Sequence, residues 1–170
     1  MNLILDRILN SFSTVPTAED WLYSVILLVV YAAIALPIGR KLNFLQFDMG
    51  LHPAIILRMA MVAWIAPGLL EELVWRVCLI PHPTEAIDPS IFWFWVILSL
   101  CLFAIYHPLN FFVKHDTFKD PIFLLLATLL GVICTMSYLK SGSIWTPTFL
   151  HWAIIVVWLS FCGGYDKIHG

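Results

Sequence analysis

The sequence predicts an all-α integral membrane protein, a helical bundle of about five transmembrane helices with a short N-terminal interfacial helix. Three observations support this fold class. Of the 170 residues, 61% are hydrophobic and only 12% are charged, whereas a soluble domain is about 45–50% apolar and about 25% charged. Five long apolar stretches follow one another, and each approaches the roughly 20 residues that a helix needs to cross a bilayer. No linker, repeat or low-complexity segment interrupts them, which indicates one membrane domain.

The N-terminal segment, residues 1–18, predicts an amphipathic helix. Leu3, Ile4, Ile8 and Leu9 share one face of such a helix, and the polar residues fall elsewhere. A secretory signal peptide would need a basic start, a longer apolar run and a small-residue cleavage site, and this segment has none of them. We therefore expect the helix to lie in the membrane interface.

The membrane domain, residues 19–164, contains the five predicted spans. These are residues 21–39, 52–80, 90–112, 121–139 and 144–162. Tryptophans lie near the ends of several stretches, as is typical of side chains that anchor helices at the membrane–water interface. Two glycines end the last span, and residues 165–170 form a short polar tail.

The connecting loops divide into two groups that should lie at opposite ends of the bundle. The N-terminal segment, loop 81–89 and turn 140–143 form one group, and loops 40–50 and 113–120 join the C-terminus in the other. The second group carries more lysine and arginine, so the positive-inside rule places it in the cytoplasm. We expect an integral protein of the plasma membrane of a prokaryote.

Charge and cysteine content argue against several kinds of partner and site. The net charge of −2 argues against nucleic acid as a partner and leaves the lipid bilayer as the expected environment. The four cysteines lie far apart and form no CxxC pair, so free thiols are the better interpretation than a cysteine metal site.

Within the second predicted span, the stretch of residues 67–76 contains three ionisable residues, Glu71, Glu72 and Arg76. Charged side chains are rare inside membranes and usually functional, because burying them in lipid is unfavourable. Glu72 and Arg76 are four residues apart and can pair on one helix face. Glu71 points about 100° away from that face and has no local partner. Pro67 and Gly68, just before the carboxylates, predict a kink in the helix.

Two histidines lie in other predicted spans, His107 in the third and His151 in the fifth. A carboxylate and two imidazoles facing one polar cavity could activate a water molecule for hydrolysis. The same three groups could hold a divalent metal with an open position. They could equally form a proton or ion path through the membrane. The residues alone leave these alternatives open.

Three motifs on successive spans resemble those of the CPBP intramembrane protease family. That family includes the type II CAAX prenyl proteases, bacteriocin-processing enzymes and the Abi group. The motifs are Glu-Glu-x-x-x-Arg at residues 71–76, Phe-x-x-x-His at residues 103–107, and a His at residue 151. The resemblance covers the motif-bearing core, residues 52–162.

The resemblance implies a role for each motif residue. Glu71 and His107 would activate the attacking water, and His151 would hold the scissile carbonyl as negative charge develops on its oxygen. The residues that would hold these three side chains in position, without contacting the substrate, are Glu72, Arg76 and Phe103.

One position departs from the family pattern. The family has an Asn four residues after the last His, and this chain has Ile155, which cannot donate a hydrogen bond. Losing one oxyanion donor lowers the rate by about 10²–10³-fold. Asn110, Thr148 and the Trp152 indole are the candidate replacements.

The resemblance implies a hydrolase, an intramembrane endopeptidase that acts on a membrane-associated protein or peptide. We expect a glutamate-type protease without a cofactor. The alternative is a metal-dependent version in which Glu71, His107 and His151 hold a divalent ion such as zinc. A second alternative is a non-catalytic member that acts as a membrane immunity or scaffold protein, and the loss of the Asn at 155 favours it.

Overall fold

The computed structural model describes residues 3–48, 50–109 and 116–169. These residues form a helical bundle and contain no β-strand, which confirms the predicted fold class. The helices are α1 (Leu3–Ser13), α2 (Ala18–Lys41), α3 (Pro53–Cys78), α4 (Pro89–Leu109), α5 (Pro121–Ser141), α6 (Trp145–Phe161) and α7 (Gly164–His169). A short 3₁₀ helix, Asp116–Lys119, precedes α5.

Four helices are long and apolar enough to cross a membrane. They are α2, α3, α4 and α5, with 24, 26, 21 and 21 residues. The fifth predicted span corresponds to α6, which is apolar but has 17 residues and is therefore shorter than the others. These lengths and compositions support a location in a membrane, and the prokaryotic plasma membrane stays a prediction.

The central helix of the bundle is α5. It packs against α2, α4 and α6, and buried side chains occur along most of its length. Asp120 caps its first turn by accepting the Ile122 N–H at 2.7 Å. Gly142 ends the helix with φ of 64°, a left-handed conformation that glycine adopts without strain.

The helix α3 is not regular. It is α-helical over Pro53–Ala63, π-helical over Trp64–Leu69, α-helical over Leu70–Glu72 and π-helical over Leu73–Cys78. Ala66 has non-helical angles, φ −131° and ψ 111°, and it precedes Pro67. The kink predicted from the Pro-Gly pair is thus confirmed. Gly68 fits this irregular backbone, because a Cβ there would lie only 2.8 Å from the Ala63 carbonyl oxygen.

Contacts between loops confirm the two predicted groups. At one end, the Ile144 N–H donates to the Ser11 carbonyl at 3.1 Å, and His82 Nε2 hydrogen-bonds the Gly142 carbonyl at 2.9 Å. At the other end, the Thr117 hydroxyl donates to the Lys167 carbonyl at 2.8 Å. Which end faces the cytoplasm stays a prediction.

The helix α1 binds the rest of the bundle through its polar face. Arg7 is buried and donates to both carboxylate oxygens of Glu85, at 2.7 and 2.8 Å. The Ser11 hydroxyl bonds the Tyr138 hydroxyl at 3.1 Å. The apolar side chains of Leu3, Ile4, Leu5 and Leu9 are exposed. The predicted amphipathic helix is present, and a polar face with protein partners explains its orientation.

Candidate active site

The buried centre of the site is the carboxylate of Glu72. Its Oε1 lies 3.2 Å from Arg76 Nη1, which is the pair predicted from their spacing. The same oxygen lies 2.6 Å from Nδ1 of His151, a contact that joins α3 to α6. Because an ionised carboxylate can only accept hydrogen bonds, Nδ1 of His151 carries the proton. Glu72 therefore fixes the orientation of the imidazole as well as balancing Arg76.

The guanidinium of Arg76 has partners on three sides. Besides Glu72, it donates through Nη2 to the Gly131 carbonyl on α5 at 3.0 Å. Its Cζ lies 4.4 Å from the centre of the Phe103 ring on α4, within the range of a cation–π contact. Arg76 thus holds α3, α4 and α5 together beneath the site. The supporting role of Glu72, Arg76 and Phe103 stays a prediction.

Gly131 is a site residue that the sequence did not identify. A Cβ at this position would lie 2.8 Å from Phe103 Cδ1 and 3.3 Å from Arg76 Nη2. A side chain there would displace the ring, the guanidinium or both. The signal in the sequence was a single glycine inside an apolar span, where glycine also lowers helix stability.

The other carboxylate, Glu71, lies on the opposite side of His151. Its Oε2 is 4.0 Å from Nε2 of His151, and its side chain is 20% exposed. This oxygen is buried and has no hydrogen-bond partner among the described residues. A separation of 4.0 Å is too long for a direct hydrogen bond, but a single water could bridge the two atoms. His151 is thus placed between two carboxylates.

His107 is positioned by the residue one helical turn before it. Its Nδ1 is 2.8 Å from the Phe103 carbonyl, and since a carbonyl can only accept, Nδ1 carries the proton. The neutral ring then has its lone pair on Nε2. The Phe103 ring lies between the two imidazoles, with centroids 4.7 Å from His107 and 6.1 Å from His151.

The two histidines line one cavity of about 270 Å³. Its walls come from α2, α4, α5, α6 and the chain around Phe44, and they are almost entirely apolar. Glu71 is absent from the described lining and contacts the site from the α3 side of His151. The structure therefore brings His107 and His151 to one space and places Glu71 next to the second of them.

The candidate replacements for the missing Asn differ in their surroundings. Ile155 itself lines the cavity. The Trp152 indole N–H donates to the Ala60 carbonyl at 2.8 Å, so its one donor is already used. The Thr148 hydroxyl is buried without a described partner, and Thr148 does not line the cavity. Asn110 lies outside the described residues.

The side chains that could supply metal ligands form a different set from the predicted one. In the described ranges, Glu72, Cys134 and His151 have ligand atoms within 4.8 Å of one another. The Arg76 guanidinium is 3.2 Å from Glu72 and would repel a cation there. Glu71, His107 and His151 do not form such a close group in those ranges. The expectation of a site without a cofactor, and the metal-dependent alternative, both stay predictions.

A comparison with models of known families found a match to this chain. Residues 53–157 match the family described as type II CAAX prenyl endopeptidase Rce1-like. The match covers more than half of the chain and contains all three motifs. Searches of curated proteins and of solved structures found no match.

Proposed function

This chain belongs to the type II CAAX prenyl endopeptidase Rce1-like family, and on this basis we propose that it is a metal-independent intramembrane endopeptidase. Its substrate is a membrane-associated protein or peptide. One observation carries the proposal: a buried carboxylate oxygen of Glu71 without a described partner lies 4.0 Å from an imidazole nitrogen of His151. A buried unpaired carboxylate is unfavourable, and a bridging water would satisfy it.

That water is the proposed nucleophile. Glu71 accepts its proton as the water oxygen attacks the carbonyl carbon of the scissile peptide bond. Nε2 of His107 accepts a hydrogen bond from the same water, since its other nitrogen donates to Phe103. The carbon–nitrogen bond then breaks, and Glu71 returns the proton to the leaving amine. The products are an amine and a carboxylic acid, which then ionises to the carboxylate.

His151 stabilises the negative charge that develops on the carbonyl oxygen. Its Nδ1–H already donates a hydrogen bond to Glu72. To donate a second hydrogen bond, to the substrate carbonyl, the ring must also carry a proton on Nε2. The resulting imidazolium would lie between two carboxylates, Glu71 and Glu72.

The apolar cavity beside the histidines is the proposed binding site for an apolar part of the substrate. Its volume of about 270 Å³ lies near the lower end of small-ligand pockets, which begin at about 300 Å³. An isoprenyl chain or an apolar peptide segment fits its chemistry, and a segment with charged side chains does not.

The test is cleavage by purified protein in lipid nanodiscs. The probes are two internally quenched peptides, one with a farnesylated Cys followed by three residues and one an unmodified apolar transmembrane peptide. We expect cleavage of at least one peptide, unaffected by a chelator. Glu71→Gln should lower the rate at least 10²-fold, because the base is lost.

The matched control is Glu19→Gln, which removes an exposed carboxylate at the start of α2 and should leave cleavage intact. Full activity of Glu71→Gln would refute the proposed mechanism. Loss of activity with chelator and recovery with zinc would support the metal-dependent version. If wild-type protein cleaves neither peptide, the non-catalytic alternative gains support.

A further inference from the structure

The cavity has an apolar side chain where a second hydrogen bond to substrate is needed. Ile155 lies one helical turn after His151 on α6, and both residues line the cavity. A developing oxyanion is best stabilised by two or more donors placed in advance. His151 can supply one of them, and Ile155 supplies none. The second donor must therefore come from another wall.

Few lining residues can donate a strong hydrogen bond. Apart from the two histidines, the described lining offers the Tyr31 hydroxyl, the Trp158 indole and the weak Cys162 thiol donor. The Trp158 indole nitrogen is fully enclosed by protein atoms, so it does not face the cavity. Tyr31 remains as the accessible strong donor.

We propose that Tyr31 donates a hydrogen bond to the carbonyl oxygen of the scissile peptide bond. This inference rests on the proposed endopeptidase function and assigns to α2 a catalytic residue outside the three motifs. Tyr31 then replaces the donor that the chain lacks at Ile155.

The position of Tyr31 supports this role. It packs against the cluster that contains Leu150 and Ile154, the α6 residues directly before His151 and Ile155. It also packs against the cluster of Ala35, Leu126 and Ala127 that continues the cavity wall. Since α2 packs against both α5 and α6, Tyr31 lines the same cavity as His151 and Ile155 from a different helix.

The state of the Tyr31 hydroxyl also supports it. The hydroxyl has no hydrogen-bond partner in the part of the chain that the structure describes, and it is not among the enclosed polar atoms. A tyrosine hydroxyl in an apolar site usually has a partner, because leaving it unpaired is unfavourable. A substrate carbonyl that enters this cavity would provide that partner, in an environment where electrostatic hydrogen bonds are strong.

The test uses the full-length protein in nanodiscs and the two quenched peptides described above. Tyr31→Phe removes one oxygen atom and keeps the ring. We expect its kcat to fall about 10²–10³-fold, with KM within about twofold of wild type, because the hydrogen bond strengthens in the transition state. Tyr23→Phe is the matched control, since Tyr23 packs against the same cluster but does not line the cavity.

A second variant tests the same idea by rescue. Ile155→Asn restores a donor on α6, so the double variant Tyr31→Phe/Ile155→Asn should recover at least about 10-fold of the lost kcat. Thermal unfolding of each variant separates loss of the donor from loss of the fold. Rescue of kcat by a polar residue across the cavity is not expected from a purely structural role.

The outcomes distinguish this inference from the proposed function. If wild type cleaves, Glu71→Gln does not, and Tyr31→Phe keeps kcat within about threefold, only the role of Tyr31 is refuted. A loss confined to KM, or an equal loss in Tyr23→Phe, also refutes it. If wild type cleaves neither peptide, or Glu71→Gln stays active, the proposed mechanism fails and the role of Tyr31 fails with it.

Discussion

Removing the Glu72 carboxylate should destabilise the protein more than any other single loss of charge in the described bundle. Glu72→Ala leaves the Arg76 guanidinium buried, with the Gly131 carbonyl at 3.0 Å and the Phe103 ring at 4.4 Å as its remaining partners. It also leaves Nδ1 of His151 without its acceptor at 2.6 Å. Breaking a buried ion pair from one side lowers the free energy of unfolding by about 3–5 kcal/mol.

The contacts that Arg76 and His151 keep in Glu72→Ala determine where in this range the loss of unfolding free energy should fall. A desolvated cation–π contact contributes about 2 kcal/mol, so Arg76 keeps part of its stabilisation. The unpaired His151 nitrogen adds a penalty of about 1–3 kcal/mol. These two effects oppose each other, and the expected loss stays at about 3–5 kcal/mol. Denaturant titration in mixed micelles, followed by tryptophan fluorescence, would measure it.

The double variant Glu72→Ala/Arg76→Met separates the stranded charge from the lost contacts. It removes both members of the pair and should be more stable than Glu72→Ala alone, because no unpaired charge remains. Asp116→Ala is the control, since the Asp116–Lys119 pair is exposed and its loss should not change unfolding. A Glu72→Ala protein within about 1 kcal/mol of wild type would contradict the reasoning, as would a double variant less stable than the single one.

Three further predictions concern other contacts of the structure. Burial opposes ionisation of Glu85, yet hydrogen bonds from Arg7 and the His82 N–H outweigh it and hold the pKa of Glu85 below its ordinary value. Docking of α1 should therefore be complete above about pH 4.3 and should weaken as the pH falls through the lower pKa of Glu85 in the folded protein. A spin label at the exposed Leu5 should become mobile over that lower pH range. The same pH dependence of label mobility in a Glu85→Gln protein would contradict this prediction. Gly131→Ala should lower the free energy of unfolding by about 1–3 kcal/mol through overpacking, and wild-type stability in a denaturant titration would show that Phe103 can move aside. Trp152→Phe should retain kcat on the quenched peptides, because its indole N–H is bound to the Ala60 carbonyl; a fall of 10²-fold or more would identify Trp152 as an oxyanion donor.

Features that depend on neighbours in the sequence could be predicted. The pair of Glu72 and Arg76 follows from helical spacing, and the kink in α3 just before the carboxylates follows from Pro67 and Gly68. The grouping of loops at two ends follows from the number of spans, because each crossing reverses the side. Apolar length and composition were sufficient for the fold class.

Features that depend on contacts between distant segments could not be predicted. Hydrophobic periodicity identified the apolar face of α1, but it contains no information on whether Arg7 has a partner such as Glu85. The bond between His151 and Glu72 joins residues 79 positions apart, and the sequence favoured Glu71 as the partner of the histidines because Glu72 could already pair with Arg76. Gly131 matters because its missing side chain leaves room for Phe103 and Arg76. This could not be predicted without knowing that these two residues pack against it.

The chain order of the site has a consequence for biosynthesis. The carboxylates lie on α3, and the imidazole that joins them lies on α6, which leaves the ribosome later. When α3 enters the bilayer, Glu72 can already be neutralised by Arg76 on the same helix, which lowers the penalty of insertion. The nascent chain thus carries Glu72 and Arg76 into lipid as a closed pair, and the contacts of His151 with Glu72 and Glu71 have to wait until translation has delivered α6.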